Sequence, residues 1–428
     1  MAAVAIFAAA ATPTFAAGYI DIDALEQRLA TLEKAHPKTV RVESFVKAIV
    51  DPGADETENV WLVELGTGET EARKVRPAML VVAGIEGNDL AGCTAAVTWI
   101  ERLAQGYAND EAIRELLDTT TIYVLPRMNP AGAARFFAKP QIESAANNKP
   151  VDDDHDGVID EDPPNDLNGD GRIASMRIED PKGEYILDPD DPRLLIEADP
   201  QRGEAGAWRL LVEGRDNDRD EKWNEDGRGG VNFNRNFSFD YPWFDPQSGI
   251  HQISEPVTRA LADFIVAHPH IAIVFTFGAA DNLTKTPNGG EARGREPLKA
   301  IDEEDLPWYR KMGELYRDAI GLDREIDGVS KPGAFSDWMY FHRGRLSLAA
   351  RPWFPAMQLA LAEDKSDEDG KKDDGGEAAS NDNAEEEPAE EKPKPSAKKK
   401  DDDRNKDQRE FLSWIEANAP SKFVEWKE

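Results

Sequence analysis

Val81-Val82-Ala83-Gly84-Ile85-Glu86-Gly87-Asn88-Asp89 is the stretch whose reading decides the fold. Leading into it, Pro77 to Ala83 is a short apolar run (Ala78, Met79, Leu80, Val81, Val82), the pattern of a strand buried on both faces. Gly84 and Gly87 break that run, and Leu90 to Leu103 reads as a helix. A buried strand that stops at a Gly-rich turn before a helix is where open α/β sheets place their active sites. The turn carries two carboxylates, Glu86 and Asp89, three residues apart at one mouth.

Outward from this turn the pattern repeats. Ile20 to Leu32 reads as an amphipathic helix with Leu25, Leu29 and Leu32 on one stripe. Val40–Phe45 and Asn59–Leu65 alternate like strands, and Glu111–Leu117 reads as a helix. Thr120–Pro126 is a second buried strand, ending in Arg127-Met128-Asn129-Pro130-Ala131-Gly132. Further on, Ser254-Glu255-Pro256 starts a helix with Ser254 as the expected cap, and Ile271–Gly278 is another buried strand. Leu306–Ile320 is an aromatic-rich helix, followed by Gly333-Ala334-Phe335-Ser336-Asp337-Trp338-Met339-Tyr340 and a strand from Gly344 to Trp353. Cys93 is the single cysteine, which excludes internal disulfides, and at helical spacing beside Val97 it reads as a small core residue.

Residues 140–230 form an acidic insertion. Three stretches place oxygen ligands at alternating positions, as a loop wrapping a hard cation such as Ca²⁺ does. The first offers Asp152, Asp154, Asp156, Asp160 and Asp162; the second Asp166, Asn168 and Asp170; the third Asp216, Asp218, Asp220, Asn224 and Asp226. Position twelve is Pro163, Arg177 and Gly227 in turn, so none is a helix-loop-helix calcium hand. Their expected role is structural calcium binding, set against a plain solvated acidic surface. The net charge of −33 excludes nucleic acid and anionic membrane surfaces as partners. No run approaches the ~20 apolar residues of a membrane span. The Ala-rich start, residues 1–17, reads as a signal peptide or its remnant, although it lacks a basic leader, and points to a secreted or periplasmic protein. Residues 363–406, nearly devoid of apolar side chains, read as disordered, and 407–428 returns to a helix and strand of the same domain as 18–362.

Together these motifs resemble the zinc carboxypeptidases, the carboxypeptidase A/B-like metallopeptidases. In that family the first strand ends in Gly-Ile-His-Gly-Asn-Glu, whose His and Glu bind zinc; Glu86 and Asp89 stand at those positions here. Asn129-Pro130-Ala131-Gly132 matches an Asn-Pro-Asp-Gly turn, with Ala131 replacing the Asp. Asn234 and Arg235, in Val231-Asn232-Phe233-Asn234-Arg235-Asn236, match the Asn-Arg pair that holds the substrate's C-terminal carboxylate, a task suited to a guanidinium fork. Arg177 is placed as the further Arg that polarises the substrate carbonyl. The third zinc ligand, a His at the end of a strand, falls on Phe275, and the general-base Glu falls on Arg351. Asp337-Trp338 matches the Asp-Trp element before that last strand.

The resemblance implies an α/β fold: a mixed, twisted sheet of about eight strands with helices on both faces, and the acidic insertion over the carboxyl ends of the strands. It also implies zinc, whose ligands are absent here. A Phe ring offers no lone pair, and a guanidinium stays protonated and cannot act as a base. No His-Glu-x-x-His replaces the lost set among the six histidines, and two carboxylates make a poor zinc site. Arg351 is expected to pair Glu86 or Asp89 in the old metal position. The leading expectation is thus an exported carboxypeptidase-like protein without catalysis that binds peptide C-termini or other carboxylates. The alternatives are an active metallocarboxypeptidase with a rearranged metal site, and a calcium-stabilised scaffolding module with a closed cleft.

Overall fold

The computed structural model describes residues 18–51, 56–152, 157–160, 162–217, 219, 223–224, 227, 229–291, 298–329, 331–361 and 404–418. Two compact units divide the chain: residues 1–174 with 212–353, and residues 175–211 with 354–428.

The first unit begins with helix α1 (Ile22–Ala35), capped by the Asp21 carboxylate, which accepts the Ala24 N–H at 2.7 Å. A long hairpin follows, β1 (Val40–Asp51) and β2 (Glu56–Leu65), then a short α2 (Thr70–Val75) and the strand of the opening motif, β3 (Ala78–Val82). After β3 come α3 (Leu90–Gly106), α4 (Glu111–Thr119), β4 (Thr121–Leu125) and α5 (Pro130–Phe137). The unit resumes with α6 (Pro256–Ala267) and β9 (Ile271–Phe277), the short parallel pair β10 (Gly289–Gly290) and β11 (Ile301–Asp302), then α7 (Leu306–Ile320), α8 (Phe335–Phe341) and β12 (Leu346–Ala350). The intervening β5 (Ser175–Glu179), β6 (Tyr185–Leu187), β7 (Leu195–Glu197) and β8 (Trp208–Val212) form a four-stranded sheet of their own, ordered β5-β8-β6-β7.

The main sheet runs β1-β2-β4-β3-β9-β12. β1, β2 and β4 pair antiparallel, whereas β4, β3, β9 and β12 are parallel, so the sheet is mixed. Among the described residues it has six strands rather than the expected eight or so, but the α/β class holds. Every residue of β3 and β4 is buried, which requires both faces to be covered. On one face Leu80, Val82 and Val274 pack with Leu261 of α6 and with Phe335 and Met339 of α8. Burying side chains of this size stabilises by roughly 1.5–3 kcal/mol each. In the second unit, α9 (Lys406–Asn418) is tied by Arg409, whose guanidinium lies 2.7 Å from the fully buried Asp188 carboxylate.

What positions the site is the meeting of two turns. Gly84 holds φ +57°, a left-handed conformation favourable only to glycine, so the chain can fold back from β3 beside Arg127. Gly87 then touches Gly132 backbone to backbone; a Cβ on Gly87 would lie 2.4 Å from the Gly132 Cα. The side chains of Asp89 and Asn129 cap the helices leaving these turns, accepting the Gly92 and Gly132 N–H groups at 2.8 and 3.0 Å. Ser254, the expected cap of α6, does not serve; the cap is Glu255, and the Ser254 hydroxyl is engaged by the Asn236 amide at 3.0 Å. Replacing Gly87 with Ala must push the two turns apart, and a loss of about 1–3 kcal/mol is expected from overpacking. Urea unfolding of Gly87→Ala measures it, and an unchanged midpoint would refute the close contact.

Candidate functional site

Glu86 lies at the carboxyl end of β3, 5 % exposed. Its Oε1 accepts the Asn234 amide at 2.6 Å, while its Oε2 has no hydrogen-bond partner. Gly278, just past β9, closes over that oxygen, since a Cβ there would lie 2.8 Å from Oε2. The other half of the Asn234 side chain accepts the Phe335 N–H at 2.9 Å. One amide therefore joins the turn after β3, the short 3-10 segment Phe233–Arg235 and the start of α8. Asp89, the cap of α3, also keeps one buried oxygen, Oδ2, without a partner.

Burial dominates the electrostatics. It pushes the Glu86 carboxyl up to about 7, with the Asn234 hydrogen bond opposing and the Asp89 charge reinforcing. Burial likewise raises Asp89 to about 6, against the N–H groups of Gly92 and Gly84. Nearby, the buried Arg127 donates to the Ile20 carbonyl.

Phe275 is fully buried in β9, its ring edge-on to Phe277 at 4.9 Å. Arg351 does not pair Glu86 or Asp89 as expected. Its backbone N–H donates to Asp281 Oδ2 at 3.1 Å, its Nε lies 3.9 Å from the same oxygen, and its guanidinium donates to the Asp327 carbonyl at 3.2 Å. The register of β12 beside β9 sets this, because Ala350 opposite Phe277 delivers the next residue to the Asp281 loop. Arg235 forms an ion pair with Asp245 at 2.8 Å. Arg177, in the second unit, donates to the Pro192 carbonyl at 2.9 Å and lies over the Trp208 ring. Glu86 and Asn234 are thus brought into contact, whereas Arg235 and Arg351 each turn to a different aspartate.

The zinc set does not fit these residues. Glu86 and Asp89 supply only oxygens, one bonded to an amide and one to a helix terminus, and among the described residues no group of three His, Cys, Asp or Glu side chains converges.

In the acidic insertion, the described carboxylates fold their loops around backbone N–H groups. Asp166 accepts from Gly169, Asp170 and Gly171 at 2.8, 3.2 and 2.8 Å; Asn168 accepts from Asp170 and Asp170 from Arg172. Asp152 accepts the Gly157 N–H at 3.1 Å, and Asp216 that of Arg219. Asp162 is fully buried and accepts from Asn217 and Asn224, joining the first stretch to the third. Asp160 adopts a left-handed φ of +56°. Asp154, Asp156, Asp218, Asp220 and Asp226 lie outside the described residues, as do residues 1–17, 362–403 and 419–428.

Two hubs escaped the sequence reading. Glu213 is buried and accepts the N–H groups of Leu167, Asn168 and Ala174, pinning both ends of the second acidic loop. Asp281 accepts from Leu283, Thr284 and the Thr284 hydroxyl besides Arg351. Beside it opens a cleft of about 870 Å³ bordered by Phe239, Asp281, Lys285, Lys299, Asp327 and Asp337.

The zinc carboxypeptidase family model matches residues 25–158. Over 74 residues the chain is 32 % identical to carboxypeptidase M of Mus musculus, covering 17 % of each protein. Over 80 residues it is 30 % identical to human carboxypeptidase D, covering 19 % of this chain and 6 % of that one. The chain therefore spans less than a fifth of the length of these relatives. A crystal structure of thrombin-activatable fibrinolysis inhibitor superposes with a TM-score of 0.49 at 14 % identity, over 80 % of this chain and 68 % of that one. Carboxypeptidase A of Helicoverpa armigera gives 0.47 at 13 % identity, over 83 % and 72 %. The chain is zinc carboxypeptidase-like, and residues 25–158 carry that likeness.

The buried carboxyls make a pH prediction. Both hold their protons in the folded state above the ordinary Asp and Glu range, so their contribution is fully present below about pH 4 and is lost as pH rises through about 6 and 7. Glu86→Gln keeps the acceptor for Asn234 and removes the titration. In chelator-treated protein this variant should be more stable than wild type at pH 8, by on the order of 1–3 kcal/mol, and the difference should vanish near pH 4. Denaturant unfolding at several pH values checks this; a pH-independent difference would count against it.

Proposed function

We propose that this chain is an exported zinc carboxypeptidase-like protein without peptidase activity, in which the position of the catalytic metal is filled by protein. The observation that carries the reading is the Glu86–Asn234–Phe335 bridge, in which Glu86, the residue matched to the family's first zinc ligand by the sequence resemblance, is bonded to a protein amide. Phe275 at the third ligand position and Arg351 at the general-base position support it, since neither supplies a lone pair. Asn234 has both ends of its amide engaged within the protein. Recognition of a peptide C-terminus therefore rests on Arg235, whose pair with Asp245 is partly exposed and would be exchanged for a ligand carboxylate. The acidic loops are assigned a structural calcium role, in keeping with their folding around Asp152, Asp166 and Asp216.

Peptidase activity on C-terminal residues, assayed with added zinc, should not exceed the blank, and metal analysis after dialysis against a weak chelator should find zinc well below one equivalent. Chelator-sensitive hydrolysis restored by zinc would overturn the proposal. For calcium, the melting temperature should rise by several degrees in millimolar Ca²⁺ relative to chelator, because a ligand bound only to the native state stabilises it. Identical melting curves would remove the calcium role.

A further inference from the structure

The loop Tyr241–Ile253 departs from the rest of the surface. Phe244 is 100 % exposed, Ile250 81 % and Trp243 62 %. In a chain whose residues are 32 % charged, Asp245 is the one Asp, Glu, Lys or Arg of this loop, and Arg235 neutralises it at 2.8 Å. Phe244 and Ile253 hold φ of +68° and +52°, a left-handed region that bulky residues adopt only when their surroundings impose it.

Here the surroundings do impose it. The buried Asn236 amide donates to the Ser248 carbonyl at 2.7 Å and the His251 carbonyl at 3.1 Å. The Tyr241 hydroxyl lies 3.1 and 2.7 Å from the Ser248 and Gly249 carbonyls, and the Tyr241 ring supports Trp243 edge-on at 4.9 Å. Strained backbone, fixed by buried polar groups, thus presents three apolar side chains to water.

We propose that this loop inserts Trp243, Phe244 and Ile250 into the interfacial region of an electrically neutral lipid bilayer. Its neutrality lets the tip leave water without stripping an unpaired charge. Trp and Phe beside an aliphatic side chain suit the boundary between headgroups and acyl chains. The net charge of −33 disfavours both anionic lipid and a second copy of the chain. A tip of three side chains also falls well short of the roughly 800 Å² per partner of a stable protein interface.

Cosedimentation of the full chain with phosphatidylcholine vesicles tests this. Wild type is expected to pellet with lipid, and less so when a third of the lipid is phosphatidylserine at low salt. The double variant Trp243→Ser/Phe244→Ser should lose at least tenfold in partitioning with an unchanged melting temperature. Val75→Ser, at an 81 % exposed site outside the loop, should bind as wild type does. Wild type remaining in the supernatant, or a double variant that binds equally, would overturn the proposal. So would a wild-type dimer in lipid-free solution that the double variant abolishes, which would assign the loop to a second copy.

Discussion

A carboxylate removed from water has to be protonated, paired with a cation or supplied with hydrogen bonds, and Glu86 relies on the first and the last. Its single side-chain donor is the neutral amide of Asn234, and its second oxygen faces Gly278 with no partner. Burial penalises the charged form of this carboxyl, and the Asp89 charge adds to it, so its pKa is pushed up to about 7. Asn234 in turn is fixed from both sides. Its backbone N–H is bound by the Asn232 side chain at 2.9 Å, and its carbonyl oxygen takes the Phe335 N–H. Three segments far apart in sequence depend on this one amide. A cation placed at Glu86 would compete with it directly.

The frame around that amide is steric. Parallel β4, β3 and β9 end at one side of the sheet, and each delivers its following turn there: Arg127–Asn129, Gly84–Asp89 and Gly278. Gly87 against Gly132 is a contact of backbone that holds whatever side chains the turn carries, whereas Gly278 meets the Glu86 side chain itself. Asp89 and Asn129 cap helices, a task a short polar side chain performs alone. Frame and chemistry are therefore separable, and a family-like turn carries no guarantee of the family's reaction.

This separability also explains what could be read in advance. β3, β4 and β9 were legible because uninterrupted apolar runs closed by Gly or Pro admit little else, and the Gly84–Gly87 turn was legible because glycine suits both the left-handed φ at Gly84 and the close backbone approach at Gly87. Partners of charged side chains were not. Nothing in Leu211-Val212-Glu213-Gly214 marks Glu213 as buried, and the Asp162 carboxylate reads as one more acid in an acidic run although it is sealed among backbone donors. Arg351 went to Asp281 through strand register, a property of the whole sheet. Ser254 lost its capping role to a competing donor, Asn236, eighteen residues earlier.

Arg235 and Arg351 each face an internal aspartate, and the two pairs differ in kind. The Asp281 side chain is wholly buried and accepts the N–H groups of Leu283, Thr284 and Arg351 and the Thr284 hydroxyl, so the Arg351 guanidinium, its Nε 3.9 Å away, adds little. Asp245 is held at 2.8 Å by Arg235 and otherwise accepts the Gln247 N–H, with both members of the pair partly exposed. Exposed ion pairs contribute roughly 0–1 kcal/mol, so an external carboxylate can take the place of Asp245 at small cost. Doing so would leave Asp245, beside Phe244 in the Tyr241–Ile253 loop, without its cation. A carboxylate bound at Arg235 would thereby alter the charge at the apolar tip, through a single salt bridge weak enough to exchange.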